Sequence, residues 1–547
     1  MFNTFKKISF FGVVGLPILF FWYLFFKYAL DAPLWDDFAL IDFILKIHAR
    51  TNTLGQNLSL FFAQHNAHRI VYDRLMFYCV YELTGKINFK ILMFIGNLSL
   101  MGILYYFYKS LSVSRLSAWI FVPIPFLLLS LQGHENTFWA MASLQNYGVL
   151  CWVMASLYYL TINKKLALSI FFAVLATFTS GNGLFVFGLG ILALWLQNRP
   201  KQTFLAWGIS AVASISLYFW QYSRLPQEVL STKFIINFFS FMGAAFADGS
   251  ANYKVPFVVG ILLFISILLL FLSDLNFKKY AFGLKQLPDY KQFIYLFIGF
   301  LFISALLVAT SHKEGLPIEE TLVSRYKIYA HLLIISLYIL LVFKQFKTPV
   351  LFGIGLGFAI IFNSYSFFQT YPTMAYNRRN ASVAAFNLQY NRSCIMGISH
   401  AEATNQIYKK LSNKGIYSLP QILSYPLIDT TKLIALNITT LNQKLPYYMP
   451  LVKTLSIENQ DFIVSEENTE NGPYLVLRSD KNLYLFNPHY NQNGKKAFAT
   501  SGQFYRKGFG FEVHEPLLPA SRYEVMTMVV EDGKSTVYPS GKWVDIF

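Results

Sequence analysis

The strongest constraint on this chain is a succession of long apolar runs almost free of charge. A helix needs roughly 20 mainly apolar residues to cross a bilayer, and in hydrocarbon every backbone polar group must be satisfied within the segment. Runs at about 8–29, 91–108, 116–131, 146–162, 166–180, 183–197, 203–220, 255–272, 293–310, 328–343 and 349–367 meet or approach that length. They predict an all-α polytopic membrane domain of about eleven transmembrane helices over residues 1–367. Only 13% of the 547 residues are charged, about half the share of a soluble domain.

The formal net charge is +17. In this setting Lys and Arg flank the spans and face anionic headgroups. There is no zinc-finger spacing, no RNA-binding aromatic motif and no basic helix outside the apolar runs, so no nucleic-acid partner is expected. Cys79, Cys151 and Cys394 supply neither a disulfide framework nor a metal-ligand cluster. No cofactor and no metal site are therefore indicated.

Lys6 and Lys7 precede the first run, which is too long for a signal-peptide core and lacks a small-residue cleavage site. It reads as an uncleaved span with a cytoplasmic N-terminus. Alternation then makes the short basic connections at 109–115, 164–165, 199–201, 278–291 and 344–347 cytoplasmic too. An odd number of spans places residues 368–547 outside. The first outer loop, 30–90, carries two amphipathic stretches, one with Phe38, Ile41, Ile44 and Leu45 at helical spacing and one from Ile70 to Leu83. Both suit helices along a membrane surface.

The tail changes character near Asn377. Two helices are expected over 377–412, including His400 to Leu411. Short alternating strands follow at 461–465, 474–478, 483–486, 509–513, 522–530 and 535–538, separated by Asn471-Gly472, Asn493-Gly494 and Asp532-Gly533. The expectation is an α+β or β-sandwich-like extracytoplasmic C-terminal domain.

Five polar motifs fall on the outer side. Asp36-Asp37 follow the first span beside Pro33 and Trp35. One carboxylate there can take the proton of an acceptor hydroxyl, and an apolar interface raises a carboxyl's pKa towards the useful range; the alternative is capping of the next helix. His65, His68 and Arg69, with Asp73-Arg74 after them, offer proton donors and a guanidinium fork for a phosphate, or else snorkelling cations. His134, Glu135 and Asn136 precede Trp139, with Gln145-Asn146 beyond, a set suited to hydrogen bonding and stacking on a sugar, or to helix capping. The turn Thr179-Ser180-Gly181-Asn182-Gly183 lets backbone approach a ligand, or simply joins two helices. Arg325 and Tyr326 stand at the mouth of a span, where a charge is costly unless it is paired or meets an anion such as a lipid phosphate, or else snorkels to the headgroups.

In this layout the chain resembles the integral membrane glycosyltransferases of the GT-C fold. In that class a long first outer loop follows the first span, carries an acidic motif near its start and forms two surface helices; Asp36-Asp37 stand where the motif would be. The resemblance covers residues 1–367. It implies a transferase in a bacterial inner (plasma) membrane. A polyprenyl-phosphate-linked sugar would be the donor and a glycan, lipid or protein the acceptor, with Asp36 or Asp37 as general base and the cations on the carrier phosphate. Members differ in metal dependence, so the resemblance leaves a divalent metal open. Two alternatives are a transporter or flippase for a lipid-linked glycan, and a glycan polymerase. Transporters usually hold ionisable residues mid-membrane, and the centres of these runs are nearly free of them.

Overall fold

The computed structural model describes residues 2–49, 52–223, 231–248, 252–275, 287–312, 317–344, 348–391, 406–407, 410–411, 413–425, 428–443, 451–464 and 469–547, with side chains from residue 8 onward. The chain divides into two compact units. One comprises Met1–Lys27, Pro33–Thr84 and Phe89–Gln369; the other comprises Tyr28–Ala32, Gly85–Asn88 and Thr370–Phe547.

The first unit is helical. Among the described residues, seven helices are long and apolar enough to cross a membrane: Ile8–Tyr28, Phe89–Val113, Lys201–Phe219, Lys254–Asp274, Asp289–Ser311, Ser324–Phe343 and Thr348–Asn391. They mark the chain as membrane-embedded. The other four expected spans are shorter. The run at 116–131 breaks into Ala118–Phe121, Pro123–Leu128 and Leu131–Gly133, because Pro123 and Pro125 lack the amides a continuous helix needs. Gly148–Thr161, Leu166–Thr179 and Phe185–Leu196 reach only 14, 14 and 12 residues.

At one end of the bundle, Asp274 gathers three elements. Its carboxylate accepts from Lys291 at 2.9 Å, Lys344 at 2.6 Å and the Tyr295 hydroxyl at 2.8 Å. These contacts tie the helix ending at Asp274 to the start of Asp289–Ser311 and to the residue after Lys327–Phe343.

The first loop folds into Asp37–Ile47, Leu54–Phe62 and Val71–Thr84. Asp37–Ile47 buries Leu40, Ile41, Phe43, Ile44 and Ile47, the stripe that its periodicity dictates. Leu54–Phe62 lies between the two amphipathic stretches of the first loop. A capping box starts it: Thr53 Oγ1 accepts from Gln56 N at 3.3 Å, and Gln56 Oε1 accepts from Thr53 N at 2.7 Å.

Among the described residues the second unit holds eight antiparallel strands: β1 (Asn437–Gln443), β2 (Val452–Asn459), β3 (Gly472–Arg478), β4 (Leu483–Phe486), β5 (His489–Gln492), β6 (Tyr505–His514), β7 (Ser521–Glu531) and β8 (Lys534–Ile546). They form two sheets, in the orders β1-β2-β6-β5 and β4-β3-β7-β8. Leu455, Ile457, Leu475, Leu477, Phe509, Phe511 and Val525 fill one core. The intervening residues Tyr474, Val476, Met526 and Met528 face a second core with Val383 and Phe386 of the helix Thr348–Asn391. Strands β3 and β7 are therefore buried on both faces, and β3 reads as a continuous apolar run rather than an alternation.

The strand expected at 461–465 does not form in its described part. Asn459 Oδ1 accepts from Asp461 N at 3.0 Å and Phe462 N at 2.8 Å, an Asx turn that ends β2; Ser465 lies outside the described residues. Strands β1, β2 and β5 were not expected, and most of the helix expected over 400–411 lies outside the described residues.

Strand β4 is an edge, and the helix closes it with side chains. Asn387 exchanges two hydrogen bonds with the backbone of Leu485, both 2.8 Å. Asn391 does the same with Leu483, its Oδ1 accepting from Leu483 N at 2.7 Å and its amide donating back at 2.5 Å. Four residues of helix rise about 6 Å, and two residues of strand about 6.6 Å, so the two amides fall in step with the ladder. Replacing Asn387 by Leu strands the Leu485 amide and carbonyl. The expected cost is about 1–3 kcal/mol, read as earlier thermal unfolding and faster proteolysis of the tail in the purified protein.

Candidate functional site

A cavity of about 1320 Å³ lies within the first unit. All five polar motifs contribute to its wall: Asp36, His65 and His68, Trp139 with Asn146, Gly181 with Asn182, and Arg325 with Tyr326. They are carried by short helices and turns between the apolar helices, where side chains can converge without breaking a span.

The first motif is held from beneath. Asp37 is fully buried; its Oδ2 accepts from Leu34 N at 3.0 Å and its Oδ1 from Met141 N at 2.9 Å. These bonds fold residues 34–37 onto the segment at 139–141, where the rings of Trp35 and Trp139 meet edge to face at 4.8 Å. Trp35 takes a left-handed backbone (φ 38°), a costly conformation for a large side chain and one that surrounding contacts must enforce. The consequence is a division between neighbours. Asp36 lines the cavity with its side chain 45% exposed, and its Oδ1 lies 3.8 Å from His65 Nε2. Asp37 does not line it. Burial pushes the Asp37 carboxyl up to about 7, against the two amides that favour its charged form.

The second motif is a tight hairpin, closed by His65 N to His68 O and His68 N to His65 O, both 2.8 Å, with Asn66 left-handed (φ 49°). His68 Nδ1 accepts from Gly181 N at 3.3 Å, so the ring proton of the neutral imidazole sits on Nε2. Burial lowers the pKa of both imidazoles, and each is neutral near pH 7. Gly181 permits the approach: a Cβ there would lie 2.9 Å from the Tyr218 hydroxyl and 3.1 Å from His68 Nδ1. Tyr222 donates to Ala67 O at 3.0 Å and completes the seat.

Arg69, expected on a phosphate, is directed elsewhere. Its guanidinium is buried, and its three nitrogens donate to the carbonyls of Tyr218, Phe62 and Trp220. Those carbonyls belong to the ends of Lys201–Phe219 and Leu54–Phe62, where unpaired acceptors and the negative end of the helix dipole favour a cation. Arg74 does the same for Phe61 O at 2.9 Å and for Ala63 O.

His134, Glu135 and Asn136 do not line the cavity; they brace Arg325, which does. Ser324 Oγ donates to Gln132 O at 2.6 Å, so His134 Nδ1, 3.0 Å away, donates to Ser324. Burial drives His134 down to about 4, keeping it neutral. Glu135 Oε2 lies 3.4 Å from Arg325 Nη1 and accepts from Arg325 N at 3.3 Å. Asn136 donates to Arg325 O at 2.8 Å and accepts from Asn146 at 2.8 Å.

Asn182 donates to Ser304 Oγ and the Tyr329 hydroxyl, each at 3.1 Å, while its own Oδ1 has no partner. A buried unmet acceptor on a cavity wall favours a ligand donor such as a hydroxyl. Tyr218, Tyr222 and Tyr329 also line the cavity. In the sequence they look like interfacial tyrosines, and nothing singles them out.

The rest of the wall is apolar. Phe185, Ile191, Ile215 and Leu307 come from the helices Phe185–Leu196, Lys201–Phe219 and Asp289–Ser311. Phe185, Ile191 and Ile215 remain 40–49% exposed on the flank of the bundle. The wall thus joins a carboxylate, imidazoles and a guanidinium to a hydrocarbon surface. Among the described residues no group of three metal-ligating side chains forms. No protein-family model, curated protein or solved structure matches the chain.

The Asp37 carboxyl holds its proton more tightly in the fold than in the unfolded chain, where it titrates near 3.8. Protonation therefore favours the fold: the contribution is complete below about pH 4 and is lost as pH rises through about 7. The gap in thermal stability between wild type and Asp37→Ala, followed against pH, should be widest below about pH 4 and should narrow as pH rises through about 7.

Proposed function

We propose that the chain is a membrane glycosyltransferase that takes a sugar from a polyprenyl-phosphate carrier. The observation that carries this reading is one cavity whose wall joins polar groups from the loops to apolar side chains from the helices. A lipid-linked sugar has the same two parts: its chain suits the wall of Phe185, Ile191 and Ile215, and its head suits the polar groups. In this reading Asp36, not Asp37, takes the proton of the acceptor hydroxyl. The hydroxyl oxygen attacks the anomeric carbon, and the carrier leaves as its phosphate. Arg325 and the Nε2–H of neutral His68 receive that phosphate. Asn182 Oδ1 accepts from a sugar hydroxyl, and Trp35 and Trp139 offer stacking faces. No step calls on a metal or cofactor.

The same reading gives the first unit a GT-C-like architecture. The shorter apolar helices would complete about eleven crossings, the N-terminus would be cytoplasmic, and the tail would stand outside an inner membrane. Its acceptor is an extracytoplasmic glycan, lipid or protein.

Transfer of a labelled sugar from polyprenyl phosphate in membranes tests the assignment. Asp36→Asn at equal expression should lower the rate by about a hundredfold or more, the scale of a lost general base. Transfer at the wild-type rate would remove Asp36 from the chemistry. Arg325→Gln should raise the donor KM more than it lowers kcat.

A further inference from the structure

We infer that the sheet β4-β3-β7-β8 carries a binding site for a neutral glycan near the end of β8, centred on Trp543. Directly opposed residues of neighbouring strands share a face. Arg478 of β3 stands opposite Glu524 of β7, Glu524 opposite Trp543 of β8, and Arg522 opposite Asp545. These side chains therefore form one patch. Further along the same face of β7, Met526 and Met528 pack into the core shared with the helix Thr348–Asn391. On the other face Tyr523, Val525, Val544 and Ile546 belong to the other core. The patch is the part of the face left open: Trp543 is 52% exposed, and Arg522 and Asp545 are exposed beside it.

The backbone is shaped at this point. The register between β7 and β8 jumps from Met526–Pro539 to Val525–Lys542, so Ser540 and Gly541 bulge out of β8 immediately before Trp543. Gly541 takes the left-handed conformation (φ 71°) that the bulge requires. Ser540 Oγ donates to Val525 O at 2.5 Å and accepts from Lys542 N at 3.2 Å, which pins it. A bulge bends its strand and re-aims the side chains that follow.

The chemistry of the patch selects its ligand. Arg478 donates to Glu524 at 2.6 Å, Arg522 Nε lies 3.8 Å from Asp545 Oδ1, and the Arg522 guanidinium lies 5.4 Å from the centre of the Trp543 ring. Each guanidinium thus has a carboxylate, and the patch is neutral in sum, with no field to attract an ion. An exposed pair such as Arg522 and Asp545 adds little to stability. A pyranose ring presents a face of C–H groups and a rim of hydroxyls. The indole matches the face, and guanidinium N–H groups and carboxylate oxygens match the rim. A protein partner would ask for a wider apolar centre than one indole. The site lies wholly in the second unit, and the inference does not depend on the proposed transferase activity.

Titration calorimetry of the full-length protein in nanodiscs, with neutral hexasaccharides of glucose, mannose, galactose and N-acetylglucosamine as probes, tests it. At least one should bind. Trp543→Ala should weaken that binding by about tenfold or more, the scale of a lost aromatic anchor, and Trp543→Tyr should keep most of it. Unchanged hydrogen–deuterium protection of β3 and β7 in Trp543→Ala checks that the tail is folded. Binding by none of the probes, or equal binding by Trp543→Ala, would overturn the inference. So would binding confined to a charged polymer such as polygalacturonate, since a neutral patch has no means of selecting it.

Discussion

The Asp37 carboxylate grips two amides that are distant in sequence, Leu34 and Met141, and much of the cavity's polar wall follows from that grip. It folds the start of the first loop against the segment that begins at His134. That segment, through Glu135 and Asn136, holds the backbone and the guanidinium of Arg325. Asp36 and Arg325 thus reach one cavity through a chain of hydrogen bonds whose buried members never touch it. On the opposite side Arg69 and Arg74 play the matching part with carbonyls. A buried polar group is tolerated when hydrogen bonds replace its water, and these three each convert that replacement into a loop position.

The five motifs were legible because their residue types are out of place between apolar runs. Their roles were not. Asp36 and Asp37 are indistinguishable as letters, but successive helical residues point about 100° apart, so one faces the cavity and its neighbour the interior. Which is which depends on Met141, a hundred residues away. Arg69 and His68 were read together, yet the helix ends that claim Arg69 are set by tertiary packing. The tyrosines around His68 carry no local signal, and the short apolar helices were legible as apolar but not as short. In the tail, alternation and turn residues located β3, β4, β6, β7 and part of β8. Polar β1 and β5 lie at sheet edges, where burial leaves little pattern to read.

The way β4 is closed bears on how the protein is made. Asn387 and Asn391 stand on the helix Thr348–Asn391, which leaves the ribosome before any strand of the sandwich. An edge strand with open amides invites pairing with a second chain. Here the partner for that edge is already on a helix when β4 emerges, so nascent chains have less opportunity to pair with one another. The order of synthesis thus acts as a chaperone for the sheet. A circular permutant that delivered the strands before the helix would keep every native contact and yet expose the growing sandwich to its neighbours.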